Sequence, residues 1–368
     1  MRAETNAREA AFDAGAAAVE IDTLMRSVVE ERIFATGAQL YVECGGTEVV
    51  DTAWGDGAGR TIHRDSVHSA FCATKPLMGL AVGLAADAGL LGLDDRVIDH
   101  VPRSWAAPSV TVREVLSHRA GLRRPSAAGW RMTHPDGRAA LLPSPPVPTP
   151  VYSEISGWLL LAEALRAVTG LDPGDFANAA LVDPLGLGED LLITPGRALR
   201  ALDDGRVRVP IGGLPFEVIP LLSEQLANQV AETSLAFGGL TSMRGLGRLY
   251  SAVRRVLRGE PVPGLPTPGT MQALLTCCGD PAEDPVLGRS CGFAGGFMTG
   301  LADHRIATRL SREAIGQSAG LASCVGLCDP VHDLSIGLYL NGSAMTSADI
   351  ERERMAIIDR VHTLLGAG

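Results

Sequence analysis

The sequence predicts an α/β (α+β) fold, in which an antiparallel sheet flanked by terminal helices carries an inserted, mainly helical domain. Two short apolar segments, 38–43 and 48–54, are separated by Gly45 and Gly46, which indicates a β-hairpin. Residues 334–341 alternate apolar and polar side chains, as in a half-buried antiparallel strand. The stretches between these regions are mostly helical, so the two ends of the chain should build one domain.

The domain boundaries are placed where the pattern changes. Residues 1–100 and 290–368 are predicted to form the α/β domain, and residues 101–289 the helical insertion, with a catalytic cleft between them. An apolar stripe predicts a helix over residues 5–31, and an amphipathic pattern predicts another over 347–365. These helices should flank the sheet.

Composition excludes several classes of function. A net charge of −10 and only 4% aromatic residues provide neither a basic surface nor a stacking platform for nucleic acid. The most apolar segment, 77–93, is too short and too interrupted to span a membrane. The N-terminal residues lack the apolar stretch of a secretory signal, so we expect a cytoplasmic protein.

The cysteines favour free thiols in a reducing compartment, because seven of them occur without regular spacing. Cys277 and Cys278 are adjacent, and no metal-ligand pattern accompanies them. Cys324 and Cys328 are four apart in a predicted strand, which places them on one face as packing residues. We therefore expect neither a metal nor a cofactor.

The segment 70–78 (AFCATKPLM) has the strongest chemical signal. Lys75 is the only lysine, since the other 31 of the 32 basic residues are arginine. An amine can lose a proton near neutral pH and a guanidinium cannot, so this position indicates a proton acceptor. Pro76 fits only a first helical turn, so a helix should begin near Cys72 and continue through residues 77–93.

Cys72 and Lys75 then share a face, and the helix dipole and the amine both favour a reactive thiolate. The alternative is that Cys72 is a small buried packing residue.

Tyr152 is predicted to face a cleft. Prolines spread over residues 143–150 exclude helix and central strand and predict a stiff extended loop. This loop ends at Tyr152, directly before a predicted helix over 157–169. A short helix is also predicted within 110–122, ending at Gly121.

Six segments spread over most of the chain form a shared pattern: Cys72-Ala73-Thr74-Lys75, residues 110–122 (VTVREVLSHRAGL), Tyr152-Ser153-Glu154, residues 183–187 (DPLGL), residues 237–242 (FGGLTS) and Asp329-Pro330. They resemble S-x-x-K, LLSHTSGL, Y-x-N, PLGM, GGL.ST and the C-terminal end of the serine β-lactamase and penicillin-binding-protein superfamily. The resemblance is to its class C-like branch of esterases and acyltransferases, and it implies a β-lactamase/transpeptidase-like fold.

Three residues depart from the family pattern. Cys72 replaces the nucleophilic serine, Glu154 replaces asparagine, and Ser318-Ala319-Gly320 stands where the family has K-T-G or H-x-G. A group that normally helps to hold substrate is therefore missing.

The resemblance implies a role for each matched residue. Cys72 would attack a carbonyl, Lys75 and Tyr152 would relay the proton, and the N–H groups of Cys72 and Leu321 would bind the oxyanion. Glu154 and Ser318 would lie at the substrate.

Sulfur in place of oxygen favours acyl transfer from a thioester or ester donor, small or bound to an acyl carrier protein, in a biosynthetic pathway. An esterase or amidase of the same fold, and a noncatalytic binding descendant, are the alternatives. A further alternative is that residues 316–320 (GQSAG) match the G-x-S-x-G elbow of α/β-hydrolases. Its context disfavours it, because residues 321–328 indicate strand and not helix.

Overall fold

A computed structural model describes most of the chain. The described residues are 13–31, 35–57, 59–101, 109–122, 151–153, 155–208, 235–276, 282–319, 323–341 and 347–366. The Pro-rich loop at 143–150, Glu154 and Leu321 lie outside them.

The strands of the described residues form two sheets. They are β1 (Gly37–Cys44), β2 (Thr47–Gly57), β3 (Arg60–Thr61), β4 (Val67–Ser69), β5 (Leu191–Leu192), β6 (Val207–Arg208), β7 (Leu240–Thr241), β8 (Ala282–Asp284), β9 (Arg289–Ala294), β10 (Phe297–Thr299), β11 (Ile315–Ser318), β12 (Ser323–Asp329) and β13 (Leu334–Asn341).

The larger sheet confirms the predicted union of the two chain ends. Its nine strands are ordered β3-β2-β1-β13-β12-β11-β10-β9-β8, and β1 pairs antiparallel with β13 so that Leu40 faces Leu338. The predicted hairpin is β1 and β2, joined at Gly45 and Gly46, which both have a positive φ that favours glycine. The smaller sheet has the order β5-β7-β4-β6.

Nine α-helices occur in the described part of the chain. They are α1 (Ala14–Glu30), α2 (Lys75–Asp87), α3 (Val112–Leu116), α4 (Ser156–Thr169), α5 (Pro173–Ala177), α6 (Pro195–Asp203), α7 (Met243–Leu257), α8 (Pro268–Leu274) and α9 (Ser347–Leu364).

The terminal helices cover one face of the larger sheet. Ile21 and Met25 of α1 and Ile357 and Ile358 of α9 share one apolar core with the inward side chains of β13. Apolar residues three to four apart along a helix form a continuous stripe that can pack on a sheet. The prediction that both terminal helices flank the sheet is confirmed.

Helix α7 covers the other face, and it approaches the strands closely because glycines there have no side chain. A Cβ atom at Gly337 of β13 would lie 2.3 Å from the carbonyl oxygen of Met243, and one at Gly326 of β12 would lie 2.4 Å from the Tyr250 ring. The helix can therefore lie against the strands only where the strand residues are glycine.

The prediction of a half-buried strand at 334–341 is wrong. All eight residues of β13 are buried, including Ser335, Tyr339 and Asn341 on the polar side of the alternation. Ser335 accepts a hydrogen bond from Arg254 of α7 at 3.2 Å, and Tyr339 donates to Asn341, which donates in turn to Thr36 Oγ1. The polar side chains therefore meet other protein groups and not water. The alternation of β13 therefore separates an apolar face from a polar face, and both faces are buried.

The division into residues 1–100 with 290–368 and residues 101–289 stays a prediction. Two elements from the predicted insertion contribute to the α/β part: α7 packs on the sheet, and β8 extends it. Helix α7 begins only at Met243, because the preceding Leu240 and Thr241 pair with β4 and β5.

Candidate active site

Cys72 lies in a short 3₁₀ segment, Phe71–Thr74, that leads directly into α2. The predicted helix start is therefore correct, but α2 ends at Asp87 and does not reach residue 93. Phe71 has a φ of 44°, in the left-handed region that side chains other than glycine rarely adopt. Such strain is concentrated at functional sites, and here it occurs one residue before the half-buried Cys72 thiol.

Lys75 is the first residue of α2 and is fully buried. Its Nζ atom lies 3.9 Å from the Sγ atom of Cys72 and donates to the carbonyl oxygen of Ala236 at 2.9 Å. Two aromatic rings flank the amine, with Nζ 5.0 Å from the ring centre of Trp158 and 5.6 Å from that of Tyr152. The amine is thereby held out of bulk water and beside the thiol.

The segment 236–242 forms one wall of this site. Ala70 donates to the carbonyl of Gly239 at 2.8 Å, and the Gly239 N–H donates to Thr74 Oγ1 at 3.1 Å. Gly239 leaves little room for a side chain, because a Cβ atom there would lie 3.0 Å from Thr74 Oγ1. The FGGLTS segment therefore holds the start of α2, and the residue before it supplies the Ala236 carbonyl to Lys75.

Tyr152 is also buried at this site, with 5% of its surface exposed. Its ring packs at 4.6 Å from the His118 ring and 5.6 Å from the Phe293 ring, measured between centroids. Its backbone N–H donates to Asp284 Oδ2 at 2.5 Å, and the next N–H, of Ser153, donates to His118 Nδ1 at 2.9 Å. The structure thus brings Cys72, Lys75 and the Tyr152 ring into one region.

The electrostatics at His118 reflect the same proximity. Burial, followed by the positive charges of Lys75 and His304, holds the pKa of His118 well below its usual value. His118 is therefore neutral at physiological pH, with Nδ1 accepting the Ser153 N–H and the proton on Nε2. Among the described residues Nε2 has no hydrogen-bond partner.

Ser318, at the end of β11, is buried, and its Oγ atom lies 3.9 Å from Sδ of Met298. The neighbouring Gln317 donates from Nε2 to the carbonyl of Gly296 at 3.4 Å. A Cβ atom at Gly296 would lie only 3.1 Å from the Lys75 carbonyl oxygen, so Gln317 is directed to the turn that contacts α2. The substrate-binding roles of Ser318, Glu154 and Leu321 stay predictions.

The G-x-S-x-G alternative does not fit the structure. Ser318 is the last residue of strand β11, and the next described element is the antiparallel strand β12. A nucleophile elbow requires a strand followed by a helix.

Sequence reasoning missed Asp284, Trp158 and Gln317, and gave His118 no role of its own. Trp158 donates from Nε1 to the Lys75 carbonyl at 3.2 Å. His118 belongs to one of the six motif segments, so its signal was present. Asp284 is an ordinary acidic residue in the sequence, and only the tertiary contact with Tyr152 distinguishes it.

The comparisons with known proteins agree with the fold. A family model described as Beta-lactamase matches residues 25–360. Penicillin-binding protein 4* of Bacillus subtilis (strain 168) is 24% identical over an alignment of 144 residues, and the match covers 35% of this chain. The matched segment covers 31% of that relative, or about a third of its length.

Solved structures of low sequence identity share the fold over nearly the whole chain. A novel penicillin-binding protein homolog from Caulobacter crescentus is similar with a TM-score of 0.73 at 21% identity, covering 96% of this chain and 98% of that one. EstCE1, a hydrolase with promiscuous acyltransferase activity, is similar with a TM-score of 0.73 at 16% identity, covering 95% and 98%. At these identities the likeness concerns the fold alone.

Membrane-spanning and metal-binding features do not occur in the described ranges. None of the helices there has the length and apolar character that crossing a bilayer requires. Nor do these residues include a group of three or more His, Cys, Asp or Glu side chains that could hold a metal ion. The polar groups gathered at the site are instead the amine, thiol, phenol and imidazole described above.

Proposed function

We propose an acyl-transfer reaction for this chain, which belongs to the Beta-lactamase family. One observation carries the proposal: the amine of the only lysine is buried and lies 3.9 Å from the Cys72 thiol. A nucleophile with a base within reach is the arrangement that covalent catalysis requires. The promiscuous acyltransferase activity of the similar hydrolase EstCE1 supports the same class of reaction.

In the proposed first step, Cys72 Sγ attacks the carbonyl carbon of a thioester or ester donor, and its proton passes to the Lys75 amine. The bond from the carbonyl carbon to the leaving sulfur or oxygen then breaks. The leaving group takes the proton back through Lys75 and Tyr152, and the acyl group stays on Cys72 as a thioester. The N–H groups of Cys72 and Leu321 are proposed to bind the oxyanion.

In the second step, an amine or hydroxyl group of an acceptor attacks the thioester. The acceptor gives its proton to the Lys75–Tyr152 relay. The bond between the carbonyl carbon and Sγ then breaks, and the relay returns a proton to Sγ, which restores the Cys72 thiol. A thioester reacts readily with amines, so we propose transfer in a biosynthetic pathway, with a small-molecule or carrier-bound thioester as donor. We assign the reaction to the cytoplasm, because irregularly spaced cysteines fit a reducing compartment.

Hydrolysis by the same site is the second candidate function, and it differs only in using water as the acceptor. Two proteins of similar structure support it, a family VIII carboxylesterase and a D-amino acid amidase from Ochrobactrum anthropi SV3. Transfer and hydrolysis share the acyl-enzyme and separate at the second step.

The test is intact-protein mass spectrometry after incubation with a panel of acyl thioesters, esters and β-lactams. We expect one acyl adduct per chain, mapped to the peptide that contains Cys72, and no adduct in Cys72→Ala. Adding an amine acceptor should then convert the adduct into acylated amine faster than into free acid. An adduct on Ser318 would contradict the assignment, and binding without any adduct would favour a noncatalytic descendant.

A further inference from the structure

Three consecutive backbone N–H groups of the Tyr152 segment are held by two buried residues. Val151 donates to the carbonyl oxygen of His118 at 3.0 Å, Tyr152 donates to Asp284 Oδ2 at 2.5 Å, and Ser153 donates to His118 Nδ1 at 2.9 Å. His118 and Asp284 are 2% and 3% exposed. The backbone that carries the Tyr152 phenol is therefore fixed on both sides away from water.

Asp284 is itself fixed before it contacts Tyr152. It ends β8, and its Oδ1 atom accepts the N–H groups of Val286 and Leu287 at 2.8 and 3.1 Å. This turn sets the rotamer of the carboxylate and directs Oδ2 to the Tyr152 N–H. A charged acceptor makes this a short and strong hydrogen bond.

His118 is fixed by its backbone and by ring contacts. Its φ of 54° places it in the left-handed region two residues after the end of α3, and its carbonyl and its ring both face the Tyr152 segment. Its ring also stacks on Trp158 at 4.7 Å between centroids. Trp158 in turn flanks Lys75, so the same packing contacts both members of the proposed relay.

We propose that Asp284 and His118 are positioning residues that hold the Tyr152 phenol in place for proton transfer beside Lys75. The inference rests on the proposed function, which gives Tyr152 its part in the relay. Proton transfer requires donor and acceptor heavy atoms at about 2.6–3.2 Å. A displacement of about 1 Å can reduce a rate about a hundredfold.

The variant Asp284→Asn separates this role from turn formation. The asparagine oxygen can keep both N–H groups of the turn, at Val286 and Leu287, while its amide group faces the Tyr152 N–H and cannot accept from it. The opposite amide orientation would keep the hydrogen bond from Tyr152 but lose both hydrogen bonds from the turn. That orientation is therefore disfavoured. We expect the rate of Cys72 acylation to fall about tenfold to a hundredfold with KM changed by less than about threefold.

Asp329→Asn is the matched control. Asp329 is buried at the end of β12, its Oδ1 accepts the N–H groups of Val331 and His332, and its Oδ2 accepts the Ser311 N–H at 2.7 Å. Asp329 thus accepts three backbone N–H groups in the same arrangement as Asp284, and it also contacts the Ser311 hydroxyl and His332 Nδ1, each at 2.7 Å. All of these partners lie outside the proposed site. The control should lose stability and keep the acylation rate.

A spectroscopic readout makes the test independent of activity. The chain contains four tyrosines, so 3-fluorotyrosine labelling gives few ¹⁹F resonances, and Tyr152→Phe assigns the one from Tyr152. Asp284→Asn should shift or broaden that resonance and leave the signals of Tyr41, Tyr250 and Tyr339 unchanged. His118→Phe keeps an aromatic ring but removes the Nδ1 acceptor, and it should disturb the same resonance.

The outcomes distinguish the positioning role from the proposed function. If the wild-type protein forms the acyl adduct and both variants match it in rate and ¹⁹F spectrum, the positioning role is overturned and the proposed function stands. If the wild-type protein forms no adduct, the proposed function fails, and the ¹⁹F resonance still decides whether the two residues hold Tyr152. If Asp284→Asn does not fold, His118→Phe carries the test.

Discussion

The Nζ atom of Lys75 lies 3.9 Å from the Sγ atom of Cys72, where the strained 3₁₀ segment passes into α2. Both side chains are positioned by the same helical turn, so the pair is defined by local geometry. Lys75→Arg keeps the positive charge but removes the ability to accept a proton, because a guanidinium has no accessible neutral form. We expect kcat/KM to fall about a hundredfold or more.

Thermal unfolding of Lys75→Arg must be measured alongside, since arginine is larger and the site is fully buried. A folded variant with full activity would mean that Lys75 only supplies charge to a thiolate. The proton-relay assignment would then have to be withdrawn.

Cys72→Ser restores the nucleophile that the family pattern has, but a hydroxyl needs more help from a base than a thiol does. We expect the rate of transfer from a thioester donor to an amine to fall at least about tenfold. A general base typically contributes about a hundredfold or more to such a reaction, so a tenfold loss is a lower bound. Cys44→Ser is the matched control, because that thiol is also half-buried and belongs to β1, outside the proposed site. Equal transfer rates in Cys72→Ser and the wild-type protein would show that sulfur is not required.

Ser318→Ala is expected to reduce activity only modestly, by about fivefold or less, because removing one weak polar contact costs about 1 kcal/mol or less. The hydroxyl lies 3.9 Å from Met298 Sδ, a weak acceptor. Steady-state kinetics with the best donor of the panel measure the effect. If Ser318→Ala formed no acyl-enzyme and Cys72→Ala still did, Ser318 and not Cys72 would be the nucleophile.

Gly79→Ala tests the contact between α2 and the turn that joins β9 to β10. A Cβ atom at Gly79 would lie 1.8 Å from the Gly295 carbonyl oxygen, so the helix and the turn must separate. We expect a loss of about 1–3 kcal/mol in the free energy of unfolding, measured with urea. Gly269→Ala in α8 is the control, because a Cβ atom there meets nothing within 4 Å. If both variants unfold alike, the close packing of α2 is not required.

Buried histidines predict a loss of stability in mild acid. Burial lowers the pKa of His68 to about 3 and that of His304 to about 4, whereas the unfolded chain has the ordinary value of 6.5. The unfolded state therefore binds more protons below pH 6.5, and stability that is complete above that pH is lost as the pH falls toward the folded-state values. Each histidine should contribute about 1.4 kcal/mol per pH unit in this window.

His68→Phe isolates one of these contributions. Both ring nitrogens of His68 lack partners among the described residues, and the ring stacks on Tyr339 at 3.7 Å. Phenylalanine can keep the stacking without taking up a proton, so the slope of unfolding free energy between about pH 6.5 and 5 should decrease. The exposed His63→Phe is the control. An unchanged slope in His68→Phe would mean that His68 does not titrate on unfolding.

The sequence by itself determined which strands share the sheet and brought the Cys72 thiol and the Lys75 amine together. The two-residue glycine turn fixes the β1–β2 hairpin, and period-2 and helical patterns identify β13 and the terminal helices, because these signals come from local backbone and side-chain preferences. Cys72 and Lys75 are three residues apart, so one helical turn is enough to bring them together. Tyr152 could be singled out by its motif but not placed.

Only the tertiary structure decided how Tyr152 is held and which faces are covered. Asp284 lies 132 residues from Tyr152 in the chain, and no local pattern encodes a hydrogen bond over that separation. The burial of β13 on both faces likewise depends on α7, whose approach requires Gly337 on the strand and cannot be inferred from the alternation of β13 alone. Local preferences choose helix or strand, whereas contacts between distant segments choose their neighbours.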